Sequence, residues 1–253
     1  MKFRTIRRII YLKKARHRRG HGIHSPFLFH LITEVVENRT RLPEYEIFKS
    51  LKNNVLDLLG GFSGPSLSNI YHQFNIPFSN PHRLYRKVEL PLQYSKVVFR
   101  LLREFKPSSV IYYGPSLGAS LAIIAMANSD NHIYQLINDA ACELVSRELL
   151  KDSAISNVHF FQENEVPSVD HEFVIINYPG NPVVSQNMAQ KCLHVHGDDD
   201  VLIIRGIHES KEMEVIWREL IASESVRVSL DLFEIGIALF RKGLQKESFI
   251  QRF

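Results

Sequence analysis

Short apolar runs alternate with amphipathic stretches through the second half of the chain. The apolar runs predict five strands, at residues 110–113, 132–137, 158–161, 173–176 and 201–204. The amphipathic stretches predict five helices, at residues 90–105, 117–127, 140–150, 182–193 and 210–222. This alternation predicts an α/β, Rossmann-like, doubly wound and mostly parallel sheet with right-handed crossovers. Two further β-rich runs, 226–232 and 235–240, are joined too closely for a crossover and predict an antiparallel C-terminal hairpin.

The first 88 residues have no strand pattern of their own. Helical periodicity or capping residues predict helices at 2–18, 26–37, 44–58 and 66–74. The helix at 26–37 is the best marked, because Ser25 is a favourable N-cap and Pro26 suits the first helical position. Residues 75–86 contain two prolines and are predicted to be irregular. We therefore predict a helical N-terminal extension, 1–88, followed by a Rossmann-like domain, 89–253.

The composition is that of a soluble globular protein, with 45% hydrophobic and 23% charged residues. No apolar run approaches the roughly 20 residues that a membrane-spanning helix needs, so no such segment is predicted. The N-terminus lacks the apolar core of a secretory signal. Only two cysteines occur, Cys142 and Cys192, and both fall in helical patterns. Together these features predict a cytoplasmic protein without a disulfide framework.

The net charge of +4 hides a strong asymmetry. Nine of the 31 Lys and Arg residues lie in residues 1–19, and the first acidic residue is Glu34. The rest of the chain carries 22 basic and 27 acidic side chains, a net charge of −5. This basic arm, 1–19, carries a short apolar stripe: Phe3, Ile6, Ile10 and Leu12. The stripe docks on its own domain or on a partner subunit, or the arm contacts nucleic-acid phosphate or an anionic membrane surface.

The stretch 109–125 contains the clearest candidate site. A buried strand ends at Gly114, a turn follows, and a helix begins after Gly118. Ligands of open α/β sheets bind outside such strand ends, where the first N–H groups of the helix have no intrahelical partner. The Gly-x-x-x-Gly spacing differs from the Gly-x-Gly-x-x-Gly of dinucleotide sites, so the ligand is left open. The alternative is an ordinary strand-to-helix turn.

Other chemical candidates are weaker. Four histidines, His17, His21, His24 and His30, match no standard zinc spacing, and no metal site is predicted. The run Asp198-Asp199-Asp200 precedes a strand and is interpreted as a polar turn. His208-Glu209 follows the fifth strand, where it supplies either a general base or a helix cap.

Several sequence blocks resemble one family. They are residues 19–27 (RGHGIHSPF), 114–118 (GPSLG), 210–217, 221–233 and the C-terminal 240–253. They are similar to a group of bacterial class I S-adenosylmethionine-dependent methyltransferase-like proteins, best represented in Bacteroidetes, and the resemblance covers nearly the whole chain. The layout of five parallel strands followed by a hairpin is also typical of that class. The resemblance implies a methyltransferase fold and S-adenosylmethionine as cofactor, but no particular methyl acceptor.

The resemblance also implies roles for residues at the strand ends. Gly114, Ser116 and Gly118 would approach the methionine part of the cofactor. Asn138 or its neighbour Asp139 would bind the ribose. Asn177 would lie near the adenine or the methyl acceptor.

The chain departs from the family pattern at the positions where acids are expected. The neutral or basic residues at these positions are Tyr112, Asn138, Asn177 and Arg205. Carboxylates are favourable there because the cofactor carries a sulfonium, an ammonium and two ribose hydroxyls. Losing the carboxylate at the Asn138 position would cost about 1–2 kcal/mol, and losing the acid at the Tyr112 position as well would weaken binding roughly 10- to 1,000-fold in total.

Two hypotheses follow. The chain is a methyltransferase with an unknown acceptor, or it is a catalytically degenerate pseudoenzyme that serves as a binding or scaffold module. Cofactor binding is expected to be weak or lost, and enzymatic activity is left open. Arg205 adds further alternatives, because its positive charge either takes the place of a lost metal or draws an anionic ligand, or the residue points to solvent.

Overall fold

The structure is a computed structural model that describes residues 2–15, 22–61, 70–72, 74–77, 80–136, 139–162, 172–177 and 181–253. The described helices are α1 (Lys2–Lys14), α2 (Pro26–His30), α3 (Glu44–Gly61), α4 (Pro81–Val88), α5 (Leu92–Phe105), α6 (Ala119–Ala125), α7 (Ala140–Asp152), α8 (Pro182–His194) and α9 (Lys211–Ala222). A π-helical turn, Leu31–Val36, continues α2. Within these residues, no helix combines the length and the apolar composition needed to cross a bilayer.

The described strands are β1 (Ser109–Tyr113), β2 (His132–Leu136), β3 (Val158–Phe161), β4 (Phe173–Ile176), β5 (Val201–Arg205), β6 (Val228–Asp231), β7 (Ile235–Leu239) and β8 (Glu247–Ile250). The chain divides into two compact units. Unit 1 comprises Met1–Arg39, Ser109–Tyr113 and Val169–Phe253. Unit 2 comprises Thr40–Ser108 and Gly114–Ser168.

Unit 1 contains a six-stranded run in the order β1-β4-β5-β7-β6-β8. The pairs β1/β4 and β4/β5 are parallel, and their continuous apolar sequences are fully buried. The pairs β5/β7 and β7/β6 are antiparallel, which confirms the predicted hairpin. β8, which the sequence analysis missed, pairs in parallel with β6.

Unit 2 contains the parallel pair β2/β3 and a helical core. α3 packs against α4, α5, α6 and α7. α5 buries the apolar face that its periodicity predicts, including Val97, Val98 and Leu101. The predicted irregular stretch at 75–86 is wrong from residue 81 onward. Asn80 caps α4 by accepting from the Arg83 N–H at 2.9 Å, and Pro81 occupies the first turn.

The predicted strand and helix alternation is confirmed, so the fold class is a mixed, mostly parallel α/β fold. Differences at element ends are one or two residues for most elements, as expected where helices fray. The predicted helix at 66–74 falls largely outside the described residues, as does Asn138. The division into an extension, 1–88, and a domain, 89–253, stays a prediction.

Candidate functional site

The glycine turn of unit 2 has the conformation that its two glycines suggested. Gly114 has a φ of 120° and Gly118 a φ of 98°, a region that other residues rarely adopt. A Cβ at Gly118 would lie 2.9 Å from Leu149 Cδ2 and 3.1 Å from Ser146 Cα. Gly118 is therefore required for the close approach of α7. Its contact with a cofactor stays a prediction.

A buried carboxylate lies at the centre of this turn. Glu89, at the C-terminal end of α4, is 1% exposed. Its Oε1 accepts from Ser116 Oγ at 3.0 Å and from the Leu117 N–H. Its Oε2 accepts from the Ser120 N–H at 2.8 Å and from Ser120 Oγ. The carboxylate thus occupies the start of α6 and gives the turn a negative charge, which disfavours phosphate and favours a cation.

The side chain of Ser116 belongs to the same hydrogen-bond network. It is fully buried, and its Oγ accepts from the Gly118 N–H at 3.0 Å while donating to Glu89. Its carbonyl accepts from Ser146 Oγ at 2.7 Å. Because its side chain holds the turn, Ser116 shapes the surface that a cofactor would meet. A direct contact stays a prediction.

Asp139 serves as the N-cap of α7. Its Oδ1 accepts from the Ala141 N–H at 3.0 Å and from the Cys142 N–H at 2.7 Å. Burial, together with the charge of Asp139, raises the pKa of the Cys142 thiol well above its ordinary value. Capping explains the acid at this position without a ligand, although a half-buried carboxylate can also accept from a ribose hydroxyl.

Three predicted site residues of unit 1 form one hydrogen-bonded chain. Tyr112, Asn177 and Arg205 lie at the carboxyl ends of β1, β4 and β5, which the parallel pairing brings side by side. Asn177 Nδ2 donates to Tyr112 Oη at 2.6 Å. Asn177 Oδ1 accepts from Arg205 Nη1 at 3.0 Å. The three side chains are buried, and they form hydrogen bonds with one another.

The positive charge of Arg205 is paired with a carboxylate within unit 1. Its Nε donates to Glu234 Oε1 at 3.4 Å, and Glu234 also pairs with Arg4 of α1. With only 5% of Arg205 exposed, the alternative in which this residue points to solvent is wrong. The acid beside it offsets its charge, which removes much of the attraction it would exert on an anionic ligand.

His208 lies between two carboxylates. Its Nδ1 is 2.8 Å from Glu214 Oε1, and its Nε2 is 2.8 Å from Asp231 Oδ2. A carboxylate can only accept, so both bonds form together when the ring carries both protons. Arg7 of α1 pairs with the same Glu214. With both nitrogens engaged, this arrangement favours a structural role for His208 over a general base.

The sequence analysis missed the two acids that organise these clusters. Glu89 and Glu234 are each distant in sequence from most of their partners, which no local pattern reveals. Each does lie between apolar neighbours: Glu89 follows Val88 and precedes Leu90, and Glu234 follows Phe233 and precedes Ile235. Since an acid is rarely buried without partners, that setting was the available signal. A cavity of about 280 Å³ in unit 1, lined in part by Arg7, His208 and Trp217, also had no sequence signal.

The sequence matches no protein-family model and no curated protein. Solved structures do match. The SAH-bound methyltransferase PaMTH1 of Podospora anserina has a TM-score of 0.53 and 10% identity over 79% of this chain and 97% of that one. The O-methyltransferase TomG of Streptomyces achromogenes, solved with SAM and involved in tomaymycin synthesis, has a TM-score of 0.51 and 14% identity over 79% of this chain and 100% of that one.

An O-methyltransferase from Bacillus cereus, in complex with SAH, has a TM-score of 0.52 and 15% identity over 77% of this chain and 99% of that one. At these identities the likeness shows the fold alone. The chain therefore has the Rossmann-like fold of the S-adenosylmethionine-dependent O-methyltransferases.

Proposed function

We propose that this chain binds S-adenosylmethionine at the 114–118 turn and transfers its methyl group to an acceptor of unknown identity. The observation that carries the proposal is the buried carboxylate of Glu89 beneath the turn. Its negative charge complements the cofactor's sulfonium and ammonium, whereas a nucleotide phosphate would be repelled. The fold of the solved methyltransferases supports the same ligand class.

The residues fit the cofactor unevenly. The turn, with Gly114, Ser116 and Gly118, suits the methionine part, and Asp139 or Asn138 would accept from the ribose. Asn177 would face the adenine or the acceptor. The bound cofactor supplies an electrophilic methyl group. The protein's contribution is then to orient the acceptor for in-line attack and to exclude water. The neutral strand ends weaken cofactor binding without removing the turn.

A second function is favoured by one specific observation. Three successive hydrogen bonds join Tyr112 to Asn177, Asn177 to Arg205 and Arg205 to Glu234. All of these side chains are at least nine-tenths buried. Groups that satisfy one another gain nothing from a ligand that must first separate them. In this second proposal the fold is kept as a binding or scaffold module, and methyl transfer has been lost.

Isothermal titration calorimetry of the full chain with S-adenosylmethionine and S-adenosylhomocysteine separates the two proposals. Binding in the micromolar range supports the enzyme. An absence of heat at millimolar ligand supports the degenerate module.

The variant Asp139→Asn tests the ribose assignment. Asparagine also caps helices well, so α7 should be preserved while the charge is lost. We expect affinity to fall by about tenfold if Asp139 accepts from the ribose. Asp130→Asn, an exposed substitution in the same unit, is the matched control and should leave affinity unchanged. Equal affinities for all three proteins would exclude Asp139 from the site.

A further inference from the structure

The helix α1 is attached to unit 1 by its charged side. Arg4 pairs with Glu234 and Arg7 pairs with Glu214. The Tyr11 hydroxyl donates to the carbonyl of Gln251, and its ring lies 5.1 Å from that of Phe233. Arg4, Arg7 and Tyr11, spaced by three and four residues, define the inner face of α1.

The opposite side of α1 is apolar and exposed. Ile6, Ile9 and Leu12 are spaced by three residues and are 55%, 53% and 40% exposed. Ile6 and Ile9 are among the four most exposed large hydrophobic side chains of the described residues. These three residues define the outer face of α1. The predicted docking of the apolar stripe on its own domain is therefore wrong for Ile6 and Leu12.

The charges that flank the outer face select its partner. Lys13 is exposed within this face, and α1 contains no acid. Arg8 and Lys14 are also exposed but lie toward unit 1, where the Arg8 guanidinium is 5.7 Å from the centre of the Phe233 ring and Lys14 lines the cavity beside Arg7. A second copy of this helix would bring like charges together, which costs free energy. Nucleic acid would use the cations and leave the isoleucines in water. An anionic lipid surface uses both features, because apolar side chains enter the acyl boundary while cations remain at the head groups.

We propose that the outer face of α1 docks this protein on anionic membrane surfaces, with Ile6, Ile9 and Leu12 inserted between head groups and Lys13 contacting lipid phosphates. The inner face stays bound to unit 1, so the helix lies in the plane of the membrane. This surface is independent of the 114–118 turn, and the proposal holds whether or not the chain transfers methyl groups.

Vesicle co-sedimentation of the full chain tests the proposal. Vesicles of phosphatidylglycerol and phosphatidylcholine should bind the protein, and pure phosphatidylcholine should bind it at least tenfold more weakly. The double variant Ile6→Ser/Ile9→Ser should lower affinity by at least tenfold, since each side chain loses apolar burial. Lys13→Gln should lower it by about fivefold and reduce its salt dependence, because a cation near the surface contributes about 1 kcal/mol.

The matched control is Val183→Ser/Val195→Ser. These valines belong to unit 1 and are 66% and 58% exposed, so the substitutions remove similar apolar surface elsewhere. Affinity for anionic vesicles should be unchanged. An unaltered circular dichroism spectrum confirms that each variant is folded.

Three results would overturn the proposal. The wild-type protein could fail to bind anionic vesicles, or the isoleucine variant could bind them as tightly as the wild type. The third is a dimer in solution that the isoleucine variant converts to a monomer without loss of vesicle binding, which would assign the outer face to a second copy.

Discussion

The two units bury charge in different ways beside the residues predicted to meet the cofactor. In unit 2 the carboxylate of Glu89 is surrounded by N–H and hydroxyl donors, with no cation among its described partners. In unit 1 the guanidinium of Arg205 is matched by the carboxylate of Glu234. The turn of unit 2 keeps a negative field, whereas the strand ends of unit 1 are close to neutral. This contrast means that any preference for a cationic cofactor comes from unit 2.

The largest effect is expected at Glu89. Glu89→Ala leaves four donor groups around Ser116, Leu117 and Ser120 without their acceptor, and should lower the free energy of unfolding by about 3–5 kcal/mol. Glu89→Gln keeps one acceptor oxygen and should cost about half as much. Urea denaturation measures both. Glu46→Ala, an exposed carboxylate of the same unit, is the control, and a loss at Glu89 no larger than at Glu46 would contradict the role of this carboxylate.

The ion pair of unit 1 should show strong coupling. Glu234→Gln leaves Arg205 buried beside a neutral partner and should lower the free energy of unfolding by about 2–4 kcal/mol. Arg205→Met should cost less, because Glu234 retains Arg4. The double variant should then be more stable than the sum of the single losses predicts. A double-mutant cycle by urea denaturation measures the coupling, and strict additivity would mean that the two residues do not interact.

A smaller effect concerns two histidines of unit 2. His132 Nδ1 lies 3.2 Å from His159 Nε2 across the β2/β3 pair. Partial burial, and then the charge of His132, holds the pKa of His159 below its ordinary value of 6.5. The unfolded chain therefore binds the proton more readily, so stability falls as the pH drops from above 6.5 through the lowered pKa.

His159→Gln should flatten this part of the stability profile, measured as urea midpoints against pH. His132→Gln should remove only the portion due to the neighbouring ring. A steeper acid loss in His159→Gln would contradict the sign of the shift.

The strand and helix alternation could be predicted because each element carries its own periodicity. Strands such as β3 and β4 match their predicted bounds, since a short apolar run between polar residues fixes both ends. β8 could not be predicted, because its pairing with β6 depends on tertiary context. α4 was missed because Pro81 was taken as a breaker rather than as the first residue of a capped helix.

The meeting of three predicted site residues could be predicted from the sequence, but the hydrogen bonds that join them could not. Parallel pairing ensures that Tyr112, Asn177 and Arg205 meet, and the sequence indicates as much. What joins them depends on Glu234, which arrives from the C-terminal hairpin and has no local pattern linking it to Arg205. Glu89 and Ser116 are likewise separated in sequence by α5 and β1, so no local pattern links them. Burial of a charge is a property of the assembled core, so a sequence pattern alone does not reveal it.

The most direct test of the account is the affinity of the Asn138→Glu variant for S-adenosylhomocysteine, compared with that of the wild type by calorimetry. The account predicts weak binding by the wild type and binding about tenfold tighter by the variant, because a carboxylate replaces a neutral acceptor at the predicted ribose position. Binding by neither protein at millimolar ligand would contradict the claim that this fold retains an adenosyl site.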